Sequence, residues 1–197
     1  MKPASAETEL LPRRGNRFTK LIGGAVLAGL GWQIQGQLPA HNKIVAIAAP
    51  HTSNWDFVIG IAVVAALRLD VLWLGKHSIF RWPFRSFFRW LGGIPVDRRS
   101  SAGVVAQIAA LFEEREKMIL GLSPEGTRKK VERWKTGFYH IAMTAGVPIL
   151  LVAFDYGSRT VVLGPTVFPS GDLQADLAEF RKFYSDVKAK HPELSEI

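Results

Sequence analysis

A histidine and an aspartate five positions apart, His51 and Asp56, stand in the string His51-Thr52-Ser53-Asn54-Trp55-Asp56, and about seventy residues later comes Ser123-Pro124-Glu125-Gly126-Thr127-Arg128. An imidazole oriented by a carboxylate is suited to general-base catalysis. A glycine turn that presents backbone N–H groups beside an arginine fork is suited to holding an anion. With 0 Cys there is no thiol nucleophile, disulfide framework or thiolate metal site. His51, His77 and His140 form neither an H-x-x-x-H nor an HExxH pattern, which argues against zinc. Gly121 to Gly126 misses the G-x-S-x-G spacing of a serine nucleophile elbow by one residue. A base without a nucleophile of its own needs a substrate that brings one, so the combination suggests acyl transfer to the hydroxyl of a phosphate-bearing acceptor.

The spacing constrains the local structure. On a continuous helix, side chains five residues apart point about 140° away from each other at about 100° per residue. A loop that enters a helix, by contrast, can turn Asp56 back to one imidazole nitrogen, with Ser53 or Asn54 as the helix cap and the helix N-terminus keeping the carboxylate ionised. Taken alone, the pair fits equally a strand-end histidine followed by a first-turn acid. Likewise the Glu125 to Arg128 turn, with Lys129, Lys130 and Arg133 nearby, fits both a phosphate site and a solvated basic face. Gly92 to Arg99, with Arg98 and Arg99 just after a short apolar run, fits a structural turn at least as well as a third site.

Apolar runs at Lys43–Ala49, Val71–Gly75, Ile94–Val96, Met118–Leu122, Pro148–Phe154 and Thr160–Leu163 read as strands. Between them, Phe57–Leu69, Ser101–Lys117 and Trp134–Ala145 read as helices, the last stopped by Gly146, and Asp172–Lys190 as a final amphipathic helix capped by Asp172. This alternation predicts an α/β fold, a single-domain αβα sandwich around a mostly parallel sheet. Ser78–Leu91 reads as one further helix with Pro83 in its first turn, in which Arg81, Arg85 and Arg89 recur every four residues among Phe and Trp. Rings in a membrane interface with arginines on lipid phosphates explain that pattern, as does an aromatic core with a solvated arginine stripe.

No apolar run reaches 18 residues, so no transmembrane span is predicted. Residues 13 to 36 combine Arg13, Arg14, Arg17 and Lys20 with the apolar Leu21–Trp32; they read as an N-terminal membrane-associating helical segment, or as a core helix with a charged start. The predicted division is 1–36, a tail and interface helix, and 37–197, the catalytic domain. Twenty-five Lys+Arg against 17 Asp+Glu give a net charge of +8, and 48 % of residues are hydrophobic. The charge favours a polyanion and the apolar bulk favours a lipid surface over nucleic acid.

His51-x4-Asp56, Gly92 to Arg98, Glu125-Gly126-Thr127-Arg128 and Val147-Pro148-Ile149 together resemble, in order and spacing, the four motif blocks of the glycerolipid (lysophospholipid) acyltransferase family. The resemblance covers about residues 43 to 155 and is similar to bacterial 1-acylglycerol-3-phosphate acyltransferases. It implies that His51 is the general base on the acceptor hydroxyl and Asp56 its orienting partner. It further implies direct attack on an acyl thioester, with acyl-CoA or acyl carrier protein as donor and no cofactor or metal. Arg98, Glu125, Gly126, Thr127 and Arg128 match the positions for the acceptor and its phosphate. Lys135 resembles a further basic position, and Val147-Pro148 the block on the acyl and membrane side. Pro95 and Ser123 replace a frequent aromatic residue and a frequent Phe, which alters the pocket wall. The expected enzyme works on the cytoplasmic side of the cell membrane, peripheral or monotopic, on 1-acylglycerol-3-phosphate. Two alternatives stand beside it: acylation of another lyso-lipid, such as a lyso-ornithine lipid or a glycolipid, and a non-catalytic basic module that binds membrane or nucleic acid. The sequence leaves the oligomeric state open.

Overall fold

The computed structural model describes residues 10–195 apart from 97–100, 129 and 132. Its elements run α1 (Arg17–Gly29), β1 (Gln33–Gly36), β2 (Lys43–Ala49), α2 (Asn54–Leu67), β3 (Val71–Lys76), α3 (Arg85–Trp90), β4 (Gly93–Val96), α4 (Ser101–Glu114), β5 (Met118–Leu122), α5 (Gly137–Ala145), β6 (Ile149–Asp155), β7 (Thr160–Val167) and α6 (Leu173–Tyr184). The seven strands form one sheet in the order β1-β7-β6-β2-β5-β3-β4. Every pairing is parallel except β6 with β7, so the α/β sandwich with a mostly parallel sheet is as the sequence predicts.

Strand β2 lies at the centre and shows why two helical layers are needed. Val45, Ile47 and Ala49 point to one face, where they join Ile108 and Phe112 of α4, Phe138 and Ile141 of α5, and Leu177 and Phe180 of α6. Ile44, Ala46 and Ala48 point to the other, toward the α1 and α2 side, among Leu27, Ile59, Val63 and Leu69. A strand buried on both faces reads as a continuous apolar run, as KIVAIAA does. Helices α1 and α2 approach so closely that a methyl group on Gly23 would sit 2.5 Å from the amide nitrogen of Ala66 and 2.6 Å from the carbonyl oxygen of Ala62. Helix α1 is therefore a packed part of the fold. Its outer face still exposes Phe18, Leu21 and Ile22.

Three elements differ from the sequence expectation. Residues 33–36, predicted within the N-terminal segment, form β1 and pair with β7 from Gln33 with Thr160 to Gly36 with Leu163. The predicted helix 78–91 is split into a single 3-10 turn, His77–Ile79, and α3, which begins only at Arg85. Pro83 precedes that helix instead of sitting in its first turn, and a proline holds the residue before it away from helical geometry. The last helix ends at Tyr184, and residues 185–195 fold back across the carboxyl ends of the strands: the main chain of Lys188 bonds to Tyr156 and to Asp155, and the amide of His191 donates to Thr52 Oγ1 at 3.2 Å.

Candidate active site

Strand β2 ends at Ala49, and Pro50 turns the chain into the loop that carries His51. Two residues on, Ser53 caps α2: its hydroxyl accepts from the amide of Trp55 at 3.2 Å, and its own amide donates to Asp56 Oδ2 at 2.8 Å. Asp56 thus occupies the third helical position of a capping box. The same Oδ2 lies 3.1 Å from His51 Nδ1. The five-residue spacing follows from this geometry: the cap fixes the carboxylate, and the loop before the cap folds the imidazole onto it.

Asp56 has no exposed side-chain surface, whereas His51 keeps 26 % of its side chain open. A second donor reaches the carboxylate from across the sheet. The Tyr156 hydroxyl, just past the end of β6, donates to Asp56 Oδ1 at 2.5 Å. Burial and that bond push the Tyr156 phenol well above its ordinary range, so it remains a protonated donor. The carboxylate is therefore satisfied on both oxygens, which a buried charge requires.

The second motif meets the first directly. Glu125, in the turn after β5, is buried; its Oε1 accepts from the main-chain amide of His51 at 3.0 Å, and Ser123 Oγ donates to its Oε2 through a short hydrogen bond. Burial raises the Glu125 carboxyl above its usual range, partly offset by the Ser123 and His51 hydrogen bonds. Gly126 holds φ +63°, and a Cβ there would stand 3.0 Å from Lys135 Cδ. The main chain closes this turn through Lys135 N to Pro124 O at 2.8 Å. Gly126, Thr127, Arg128 and Lys135 thus share one turn beside the histidine loop, with Arg128 and Lys135 exposed. Among the described residues no group of three or more His, Asp or Glu side chains is arranged to hold a metal ion.

The structure brings together His51, Asp56, Glu125, Gly126, Thr127, Arg128 and Lys135. Arg98 lies outside the described residues. Val147 and Pro148 stand at the start of β6, the end opposite Tyr156, about 20 Å away along a seven-residue strand. The three strands that carry the site, β5, β2 and β6, are neighbours, and their carboxyl ends are where open parallel sheets bind ligands. Sequence reasoning missed Tyr156 and the bond from His51 to Glu125. The only signal for the tyrosine was its place just after an apolar strand, and nothing local ties it to Asp56.

An exposed aromatic group lies on and before α3: Trp82, 92 % exposed, with Phe84, Phe87 and Trp90. The guanidinium of Arg14 sits 5.4 Å over the Trp90 ring, which joins this patch to the entrance of α1. Among the described residues no helix is long and apolar enough to cross a membrane.

A family model described as Acyltransferase matches residues 32–155. The 1-acyl-sn-glycerol-3-phosphate acyltransferase of Salmonella typhimurium is 33 % identical over 156 residues, 76 % of this chain and 61 % of that protein. The Escherichia coli K12 protein of the same name is 32 % identical over 157 residues with the same coverage. The chain therefore spans about three fifths of the length of these relatives. Among solved structures, the 1-acyl-sn-glycerophosphate acyltransferase of Thermotoga maritima superimposes with a TM-score of 0.57 at 15 % identity, covering 88 % of this chain and 81 % of that one. At that identity the likeness concerns the fold.

Proposed function

This chain belongs to the acyltransferase family, and on that premise we propose that it moves a fatty acyl group from a thioester to the free hydroxyl of a lysophospholipid. The acceptor we propose is 1-acylglycerol-3-phosphate, the product phosphatidic acid, and the donor acyl-CoA or acyl carrier protein. The observation that carries this reading is the half-open imidazole of His51 held 3.1 Å from a fully buried Asp56. With Nδ1 donating to the carboxylate, Nε2 is left to accept the proton of the acceptor hydroxyl. As that proton leaves, the hydroxyl oxygen bonds to the thioester carbon; collapse of the tetrahedral intermediate breaks the C–S bond, and the proton passes to the departing thiolate. No acyl-enzyme is needed. Arg128 and Lys135, positioned by the turn at Gly126 and Thr127, hold the acceptor phosphate, and Arg98 supplies a further cation. Glu125 keeps the turn against the histidine loop.

The exposed aromatics around α3, set among Arg81, Arg85 and Arg89, support work at a membrane interface, where a lyso-lipid acceptor resides. The test is incubation with oleoyl-CoA and lysophosphatidate in vesicles, following thiol release and diacyl product. His51→Ala should lower turnover by about 10²–10⁴-fold with the fold intact; full activity would remove the base. Arg128→Ala should lose activity on phosphate-bearing acceptors only. Equal losses on acceptors without phosphate would redirect the reading to another lyso-lipid.

A further inference from the structure

We propose that Tyr156 is a positioning residue for the reaction, acting through Asp56 to set the orientation and basicity of His51. The inference rests on the acyltransferase reading for its role, though its structural content can be tested without turnover.

Asp56 accepts two hydrogen bonds, from the Ser53 amide on Oδ2 and from the Tyr156 hydroxyl on Oδ1 at 2.5 Å, and its Oδ2 lies 3.1 Å from His51 Nδ1. The Ser53 contact belongs to the capping box and is local. The tyrosine comes from 100 residues away, past the end of the neighbouring strand β6. Its ring is fixed by more than that bond. The Tyr156 amide donates to the Lys188 carbonyl at 2.8 Å, and the ring meets the buried Trp32 edge-on at 4.8 Å. The hydroxyl thus enters the carboxylate from a rigid mount.

This arrangement has a chemical consequence. A phenol donating to Oδ1 draws electron density from the carboxylate and competes with the imidazolium for it. Tyr156 therefore tempers how strongly Asp56 favours the protonated ring, while barring rotation of the carboxylate away from Nδ1. Among the described residues the other titratable groups near the loop have other partners. Glu125 bonds to the His51 amide, Lys190 lies 5.1 Å over the Trp55 ring, and His191 reaches Thr52 through its main chain.

Tyr156→Phe keeps the ring on Trp32 and removes only the hydroxyl. In the full-length protein, long-range 1H–15N NMR of the His51 imidazole should show its titration midpoint displaced upward by about half a pH unit or more. With oleoyl-CoA and lysophosphatidate, kcat should fall about fivefold with KM unchanged, and the acid limb of the pH–rate profile should move to higher pH. In an Asp56→Asn background the same substitution should leave the His51 titration where it was. An unchanged titration in Tyr156→Phe, or an equal displacement in both backgrounds, would overturn the proposal. Should Tyr156→Phe fail to fold, 3,5-difluorotyrosine at position 156 keeps the shape and strengthens the donor. The midpoint should then move downward, and no movement would again overturn the proposal. A wild-type protein that transfers no acyl group to any lyso-lipid, yet shows these NMR displacements, would sink the reaction and leave the positioning role standing.

Discussion

Replacing Asp56 with asparagine removes one negative charge and little else, and hydrogen-bond accounting fixes how the new amide must sit. With its NH2 in the place of Oδ2 it would face the Ser53 amide donor to donor and would donate to His51 Nδ1, forcing the ring proton onto Nε2. With its NH2 in the place of Oδ1, the carbonyl still accepts from Ser53 and from His51, and the Tyr156 hydroxyl rotates to accept. The second arrangement keeps the tautomer and displaces only the Tyr156 O–H from its acceptor, so the loss is mainly electrostatic. At 3.1 Å the pair attracts by about 5 kcal/mol in an effective dielectric of about 20 and by about 1.3 kcal/mol in bulk water. A half-open imidazole beside a sealed carboxylate lies between those limits, so kcat should fall about 10²–10³-fold with KM and Tm little changed. The assay is steady-state thiol release from oleoyl-CoA with lysophosphatidate, beside a thermal melt. A rate within about threefold of wild type would refute the claim that this carboxylate stabilises the imidazolium. Asp56→Ala makes the complementary point: it orphans the Tyr156 hydroxyl and the Ser53 amide, at about 1–3 kcal/mol each, and should lower Tm as well as rate.

Glu125 offers a pH-dependent test. Its carboxyl is raised above the ordinary 4.5 by burial, so its contribution to stability is fully present below that value and is lost as pH rises through the folded-state value. Glu125→Gln can still accept from the His51 amide and donate to Ser123, so its Tm relative to wild type should improve as pH rises from about 4.5 through the raised folded-state value and then level off. A difference that is flat or reversed would show that burial does not dominate. On the outer surface, Trp82→Ser combined with Phe84→Ser should weaken sedimentation with anionic vesicles by about tenfold or more while the melt is unchanged. Undiminished binding would assign membrane contact to another face.

What was legible in the sequence was what local rules govern. KIVAIAA reads as a strand, and Ser53 or Asn54 as the cap of the helix that turns Asp56 back to His51; the structure selects Ser53 and buries the strand on both faces. Beta strand β1 was illegible because QIQG carries no apolar pattern and owes its conformation to pairing with β7, more than 120 residues onward. Helix α3 was overextended because its arginine spacing suits a helix, whereas Pro83 ends the regularity before Arg85. The loop cluster at residues 123–128 was recognised as a turn, but its attachment to His51 through Glu125 spans 74 positions. Contacts of that kind arise from the order of strands in the sheet, which no local pattern encodes.

That strand order also bears on how the protein comes into being. Strand β2 finds its two partners only in β5 and β6, and the bond that completes the Asp56 carboxylate joins groups 100 positions apart. At translation rates of about 5–20 residues per second, roughly 5–20 s pass between the synthesis of Asp56 and that of Tyr156. Until β5 is made both edges of β2 lack a neighbour, one edge stays open until β6 follows, and throughout the interval the aspartate has one donor fewer. A nascent chain that stops short of β6 is thus an aggregation-prone intermediate and not a smaller enzyme. Stalled translation or proteolysis ahead of that strand yields a substrate for chaperones, and the long-range parallel pairing that builds the centre sets the pace of its maturation.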